Sequence, residues 1–321
     1  MGSTRIWVRA ACAWGLSLAV VGVQAQPAGK TIRFVAPYTA GGVVDNTSRV
    51  VGERMSRELG TPIVVENRAG ANGQIGTELV AKAVPDGTTL LLTSVGVAYR
   101  QHLVKVPYDP FKDLATVSLL VVNPLLIVVN PKLPVSNLKE LIEYGRKNPL
   151  KYGSSGTGGP SHLTTELFRI KAGLQMTHVP YKGDSAAILD VMAGNVDLSV
   201  SSVSATTGFI KQGRLRAIAM TSEQRAASLP DVPTTAEAGL PGVVGDSWVG
   251  ILAPAGTPPE TIRRLHAAAV VALNDPATRE KLVAAGNTII GNSPQEFATF
   301  MRNESDKWAD VIRTAKITEE P

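Results

Sequence analysis

Pro37-Tyr38-Thr39-Ala40-Gly41-Gly42-Val43-Val44-Asp45 follows an apolar run at 32–36 and precedes a segment with helical spacing. A strand, a glycine-hinged loop and a helix start, in that order, bring backbone N–H groups together. The first turn of a helix carries N–H groups without intrahelical partners, and with the positive end of the dipole they favour an anion. An ordinary tight strand-to-helix turn explains the same residues, so the rest of the chain has to decide between the two. The helical repeat runs through Val43, Thr47, Val50, Val51, Met55 and Leu59, and Gly60 stops it.

Outward from this stretch, strand and helix patterns alternate, which points to an α/β architecture with a largely parallel sheet. A second strand at 63–65 leads into the loop 66–76, and helical spacing resumes at Ile75, Leu79, Val80 and Ala83 until Pro85-Asp86-Gly87. A third strand at 89–93 ends in Ser94. In open α/β sheets the carboxyl edge of the strands is where ligands bind. The β-rich run 117–129 is broken by Asn123-Pro124, which suits a crossing between two lobes. The spacing predicts a helix over 136–147, with Ser136 as its cap and Glu140 in its first turn.

Tyr152-Gly153-Ser154-Ser155-Gly156-Thr157-Gly158-Gly159-Pro160 is the counterpart of the opening loop, and a helix with Leu163, Leu167, Phe168 and Ile170 follows it. Strands at 177–181, 196–201 and 215–221 and a helix at 185–193 continue the rhythm. The apolar run 248–252 reads as the return crossing, and helices at 257–273, 276–285 and 294–312 complete the first lobe. No tandem repeat of solenoid length is present. Two α/β lobes facing each other across a cleft, hinged by crossings near 117–129 and 246–252, are the natural reading.

A chain of 321 residues is long enough for two medium lobes, and 44% hydrophobic with 18% charged residues is a soluble composition. Residues 1–25 read as a secretory signal. Arg5 and Arg9 form its positive region, 10–23 its apolar region, and Val23-Gln24-Ala25 sets cleavage before Gln26. The mature protein is then exported. Without Arg5 and Arg9 the formal charge of +5 falls to +3, too modest and dispersed for nucleic acid. The single cysteine, Cys12, lies inside the leader, so the mature chain has no disulfide and no thiolate site.

Enzyme motifs are weak. Gly153-Ser154-Ser155-Gly156 falls one residue short of a G-x-S-x-G elbow, and His102, His162, His178 and His266 have neither metal nor triad spacing. The loop 70–76 lacks the ending of a phosphate-binding P-loop. No cofactor or metal is indicated. An exported hydrolase using Ser155 or Ser154 with His162 is the competing reading. More telling are nine hydroxyl and amide residues at strand ends and helix starts: Tyr38, Thr39, Gln74, Ser94, Ser154, Ser155, Thr157, Ser201 and Ser202. Each alone suits a turn or cap. Recurring at equivalent places in both halves, they line a cleft of neutral donors that suits a carboxylate without a dedicated arginine. Asp45 reads as a loop brace in a first helical turn, His162 as structural, and Asp197 as a hinge brace or a contact for a ligand amine. Lys182 is a candidate positive group at the rim.

The ordered motifs resemble the Bug-type extracytoplasmic solute receptors, the binding components of tripartite tricarboxylate transporters. The resemblance rests on Pro37 to Gly42 with Asp45, on Val65-Glu66-Asn67-Arg68-Ala69-Gly70-Ala71, and on Pro85-Asp86-Gly87. It continues through Tyr152-Gly153-Ser154-Ser155-Gly156 with His162, His178-Val179-Pro180-Tyr181-Lys182-Gly183 and Ala253-Pro254-Ala255-Gly256-Thr257-Pro258. It implies a type II, Venus-flytrap periplasmic-binding-protein fold of mixed sheets flanked by helices. Lobe 1 would comprise residues 26–125 and 250–321, and lobe 2 residues 126–249. It also implies that Tyr38, Thr39, Ala40, Gly41 and Gly42 grip one carboxylate together with Ser154, Ser155, Gly156 and Thr157. The ligand would be a mono-, di- or tricarboxylate, an aromatic acid or an amino acid. The partner would be a membrane permease, the receptor a monomer, and a stand-alone sensor the other non-enzymatic reading. Val43, Val44 and Thr157 depart from the family pattern, which leaves the far end of the ligand open.

Overall fold

The computed structural model describes residues 31–318. The leader reading, with Arg5, Arg9, Cys12 and cleavage before Gln26, lies outside the described residues. Among the described residues no helix is long and apolar enough to cross a membrane.

The opening unit is β1 (Ile32–Ala36) followed by α1 (Val43–Leu59), which stops where Gly60 takes a left-handed conformation. Then come β2 (Ile63–Asn67), α2 (Gln74–Ala81), β3 (Thr89–Ser94), the short α3 (Gly96–Tyr99) and β4 (Leu114–Asn123). Pro124 separates β4 from β5 (Leu125–Val129), and the two strands belong to different sheets. Proline cannot donate to a ladder, so the run breaks there and the chain crosses over. After β5 follow α4 (Leu138–Lys147), β6 (Leu150–Ser154), α5 (Pro160–Ala172), β7 (Met176–Pro180) and α6 (Asp184–Ala193). Next are β8 (Leu198–Ser202), α7 (Val203–Lys211) and β9 (Arg216–Met220). The chain then returns to the first sheet as β10 (Ser247–Pro254) and ends with α8 (Pro259–Asn274), α9 (Pro276–Ala284), β11 (Thr288–Ile289) and α10 (Pro294–Ala315).

The six-stranded sheet has the order β11-β4-β10-β3-β1-β2 and the five-stranded sheet β7-β6-β8-β5-β9. The expectation of a largely parallel sheet is corrected. β1 pairs parallel with β2 and β3, but β10 runs antiparallel to both β3 and β4. In the second sheet β6 is parallel to β7 and β8, while β5 is antiparallel to β8 and β9. The strands that cross between sheets enter against the local direction, which alternation alone does not reveal. The return crossing also shifts. β10 lies wholly in the first sheet, so the chain changes sheets before Ser247 rather than within 248–252. Asn137, not Ser136, caps α4, because its side chain accepts the Glu140 N–H at 2.9 Å. Ser136 instead donates its backbone N–H to the Glu140 carboxylate.

Both faces of the first sheet are covered. Phe34, Leu90 and Leu92 pack with Val51 and Met55 of α1 on one side, while Val35, Leu91 and Trp248 pack with Phe297 and Trp308 of α10 on the other. This is the period-2 alternation of a strand buried on both faces. Leu163 and Leu167 of α5 join the second cluster, so α10 ties the two sheets together. Gly250 in β10 shows how tight that layer is. A Cβ there would lie 2.3 Å from Phe297 Cζ, and Phe297 is fully buried against Trp248. Overpacking of this kind typically costs about 1–3 kcal/mol. Gly250→Ala is expected to lower unfolding free energy by about 3 kcal/mol in urea denaturation, and a compensating Phe297→Leu should restore part of it.

Candidate functional site

The carboxyl ends of β1 and β6 carry the two loops singled out from sequence, and each is braced by its own network. In the first, Asp45 is buried and its carboxylate accepts the Gly41 N–H at 2.9 Å and Asn67 Nδ2 at 3.0 Å. Arg49 adds an ion pair at 2.9 Å. Burial pushes the Asp45 carboxyl up, but the bonds from Arg49, Gly41 and Asn67 together hold it below the usual range. Asn67 also donates to the Tyr38 carbonyl at 3.2 Å, tying β2 to the loop. Asp45 therefore satisfies the loop and leaves the helix start alone. Gly42 is the N-cap of α1 and provides no side-chain cap.

In the second loop, Ser154 ends β6 and its Oγ lies 2.6 Å from His178 Nε2. His162 Nδ1 accepts the Gly158 N–H at 3.0 Å, and its ring stacks on His178 with centroids 3.8 Å apart. Burial, then the neighbouring His178, push the His162 imidazole down to about 3, so it stays neutral and keeps Nδ1 as an acceptor. Gly156 adopts φ +132°, a conformation L side chains rarely take, and this turns the chain toward α5. Gly159 caps α5 without a side chain, and Pro160 supplies the first helical residue.

The two helix starts face one cavity of about 600 Å³. Tyr38, Thr39, Gly42, Val43 and Ser94 line it from the first sheet, and Ser155, Gly156, Thr157, Gly159 and Pro160 from the second. Two helix N-termini without side-chain caps, with hydroxyls between them, form an environment for a carboxylate. Asn72, Tyr99, Arg100, Tyr181 and Lys182 also line the cavity. Arg100, which the sequence pattern did not single out, is buried at the cavity wall. Burial raises the Tyr38 phenol, against the pull of Thr93, Ser94 and the Arg100 charge. Tyr181 donates to Asp190 at 2.5 Å, and burial together with that carboxylate pushes its phenol up to about 12.

Other expected contacts fall elsewhere. Ala40, Gly41 and Gln74 are not among the residues lining this cavity. Ser154 and Ser201 are fully buried; Ser201 pairs with Ser199 at 2.8 Å, on the same side of β8. Ser202 opens onto a second, smaller chamber of about 100 Å³. Asp197 precedes β8, at the end opposite the cavity, and its carboxylate accepts the Lys151 N–H at 2.7 Å. It braces the entry of β6, not the ligand side. The serine–histidine contact at Ser154 involves His178 rather than His162, and a fully buried hydroxyl is out of reach of a substrate. Arg100 escaped the sequence reading because it directly follows α3, a helix of four residues that is too short to show a periodicity. The acid Asp184, at the start of α6, resembled an ordinary first-turn carboxylate.

Two mixed α/β sheets with two crossings between them, and a polar cavity where their loops meet, make this a two-lobed periplasmic-binding-protein fold. The family model for the tripartite tricarboxylate transporter family receptor matches residues 47–317, and the chain belongs to that family. It is 36% identical over 309 residues to Protein BugT of Bordetella pertussis, covering 93% of this chain and 95% of BugT. Among solved structures it is similar to an R. palustris protein with adipate, at 34% identity and TM-score 0.78, covering 90% of this chain and 98% of the other. It is also similar to MatC from Rhodopseudomonas palustris with bound malate, at 30% identity and TM-score 0.73, covering 88% and 98%.

Proposed function

We propose that this protein is a periplasmic receptor that captures a small organic carboxylate in the cleft between α1 and α5 and presents it to a membrane permease. The observation that carries this reading is the pair of helix N-termini without side-chain caps, at Gly42 and Gly159, on one cavity with Arg100. The relatives solved with adipate and malate support the ligand class. The gripping residues are Tyr38, Thr39, Gly42, Ser94, Ser155, Gly156 and Thr157, with Asp45 and His162 as braces. The receptor acts as a monomer, without catalysis and without nucleic acid. Strand membership supports crossings at Pro124 and just before Ser247, which moves the expected lobe bounds of 125/126 and 249/250 by a few residues: of the described residues, 31–124 and 247–318 form lobe 1 and 125–246 lobe 2.

Function then follows from closure. A carboxylate held by one lobe gains donors from the other, and only that differential contact shifts the open–closed balance. About 3 kcal/mol of such contact changes the population ratio more than 100-fold. A thermal-shift screen of mono-, di- and tricarboxylates, aromatic acids and amino acids on the leaderless protein tests the reading. At least one acid is expected to raise the melting temperature, since ligand at 100 times its Kd adds about 2.7 kcal/mol. Stabilisation by no acid, with hydrolysis of an ester or peptide, defeats it.

A further inference from the structure

Beside the main cleft lies the chamber of about 100 Å³, and Val43, Ser155 and Pro160 belong to the walls of both. The chamber is lined also by Asn123, Asp184, Ser202 and Ser247. Two of these present buried oxygens that meet no protein donor, Asp184 Oδ1 and Asn123 Oδ1. The Asp184 carboxyl takes hydrogen bonds from the Ser202 backbone N–H and the Ser155 hydroxyl, which leaves Oδ1 over. The Asn123 amide is oriented by a chain of bonds. Asn287 Nδ2 donates to the Leu282 carbonyl at 3.1 Å, so Asn287 Oδ1 accepts Asn123 Nδ2 at 3.1 Å and Asn123 Oδ1 is left over.

A buried carboxylate oxygen and a buried amide oxygen on one small chamber want donors, and none of the residues lining it is a cation. Leaving such acceptors unsatisfied is unfavourable, and a positive donor satisfies them best. The adjoining cleft supplies the opposite preference, for an anion, across a shared wall. We infer that the chamber receives the ammonium group of the ligand, so that the captured carboxylate is that of an α-amino acid. This rests on the carboxylate reading of the main cleft. The volume agrees with it: a water's share of the liquid is about 30 Å³, so the chamber holds an ammonium and an adjoining carbon but not a large side chain. The ligand's side chain then stays in the main cleft, whose walls carry Arg100, Tyr181 and Lys182. Burial also raises the Asp184 carboxyl above its ordinary range, against Ser202 and Ser155, and an adjacent ammonium reverses that by favouring the charged form.

The test is calorimetry on the leaderless protein with the twenty standard amino acids, each beside its des-amino acid, such as glutamate with glutarate. At least one amino acid is expected to bind 10-fold or more tightly than its des-amino counterpart. Asp184→Asn keeps an acceptor for Ser202 and should weaken that amino acid at least 10-fold while moving the des-amino acid less than threefold. Des-amino acids that bind as tightly as amino acids overturn the ammonium site and leave the carboxylate receptor standing. Binding of neither kind overturns the ammonium site, and the thermal-shift screen of the other acids then decides the receptor reading on its own. The wild-type comparison decides the matter even where the variant fails to fold.

Discussion

Val43→Asp is expected to abolish ligand binding while leaving the fold intact. Val43 is the first residue of α1, it is 36% exposed, and it lines both the main cleft and the smaller chamber. An aspartate there sits in the first turn of a helix, where a negative charge interacts favourably with the dipole by about 0.3–1 kcal/mol. The same charge stands where the ligand carboxylate belongs. Two like charges about 5 Å apart repel by roughly 3 kcal/mol at an effective dielectric of about 20. Each 1.4 kcal/mol is a factor of about ten, so affinity should fall by 100-fold or more. Calorimetry with whichever acid stabilises the wild type measures the loss, and urea denaturation of the free protein measures the fold. Val43→Ser removes the methyl groups without adding charge and should keep affinity within about 10-fold. An unchanged affinity for Val43→Asp means that the carboxylate does not lie at α1.

How much of this was legible before the structure depends on how local each signal is. The Pro37–Asp45 loop was readable because a buried strand, a glycine pair and a 3.6-residue repeat succeed one another within one short stretch. Ser94, Ser155 and Thr157 fall on the cleft as the strand-end pattern implied. Ser154 and Ser201 do not, because successive side chains in a strand point to opposite faces and a run of serines carries no sign of which face is wet. Adjacent hydroxyls such as Ser201 and Ser202 therefore part company, one buried against Ser199 and the other on the chamber. The direction of β10 and the existence of the two-residue β11 depend on pairing with β4, more than 100 residues away in the chain, and no local pattern reports that. Arg100 and Asp184 were hidden for a related reason. What makes each of them unusual is burial, which tertiary packing alone decides.

Asp246 is the same kind of residue, and its consequence is large. It stands just before β10, at the point where the chain returns to the first sheet. Its carboxyl is buried, its Oδ1 meets no protein donor, and the Leu125 backbone N–H supplies a hydrogen bond to the group. Burial pushes the carboxyl up to about 8, with Lys307 and the Leu125 N–H pulling the other way and Glu304 and Glu223 adding to the rise. Between the ordinary carboxylate range and about 8, the folded protein then holds a proton that the unfolded chain has released. Stability therefore falls as pH rises through that window and levels off above it. One pKa unit corresponds to about 1.4 kcal/mol, so even a partly relaxed site makes this a change of roughly 3 kcal/mol. Asp246→Asn keeps an acceptor for Leu125 and removes the charge. It should match the wild type near pH 4, where Asp246 is protonated, and exceed it by about 3 kcal/mol at pH 8.5, read from urea denaturation at both values. The pH slope of the difference is the decisive quantity, because a substitution that merely repacked the crossing would shift both values alike. A difference that does not grow with pH shows that Asp246 is ionised in the folded protein at neutral pH, with water or Lys307 compensating its charge.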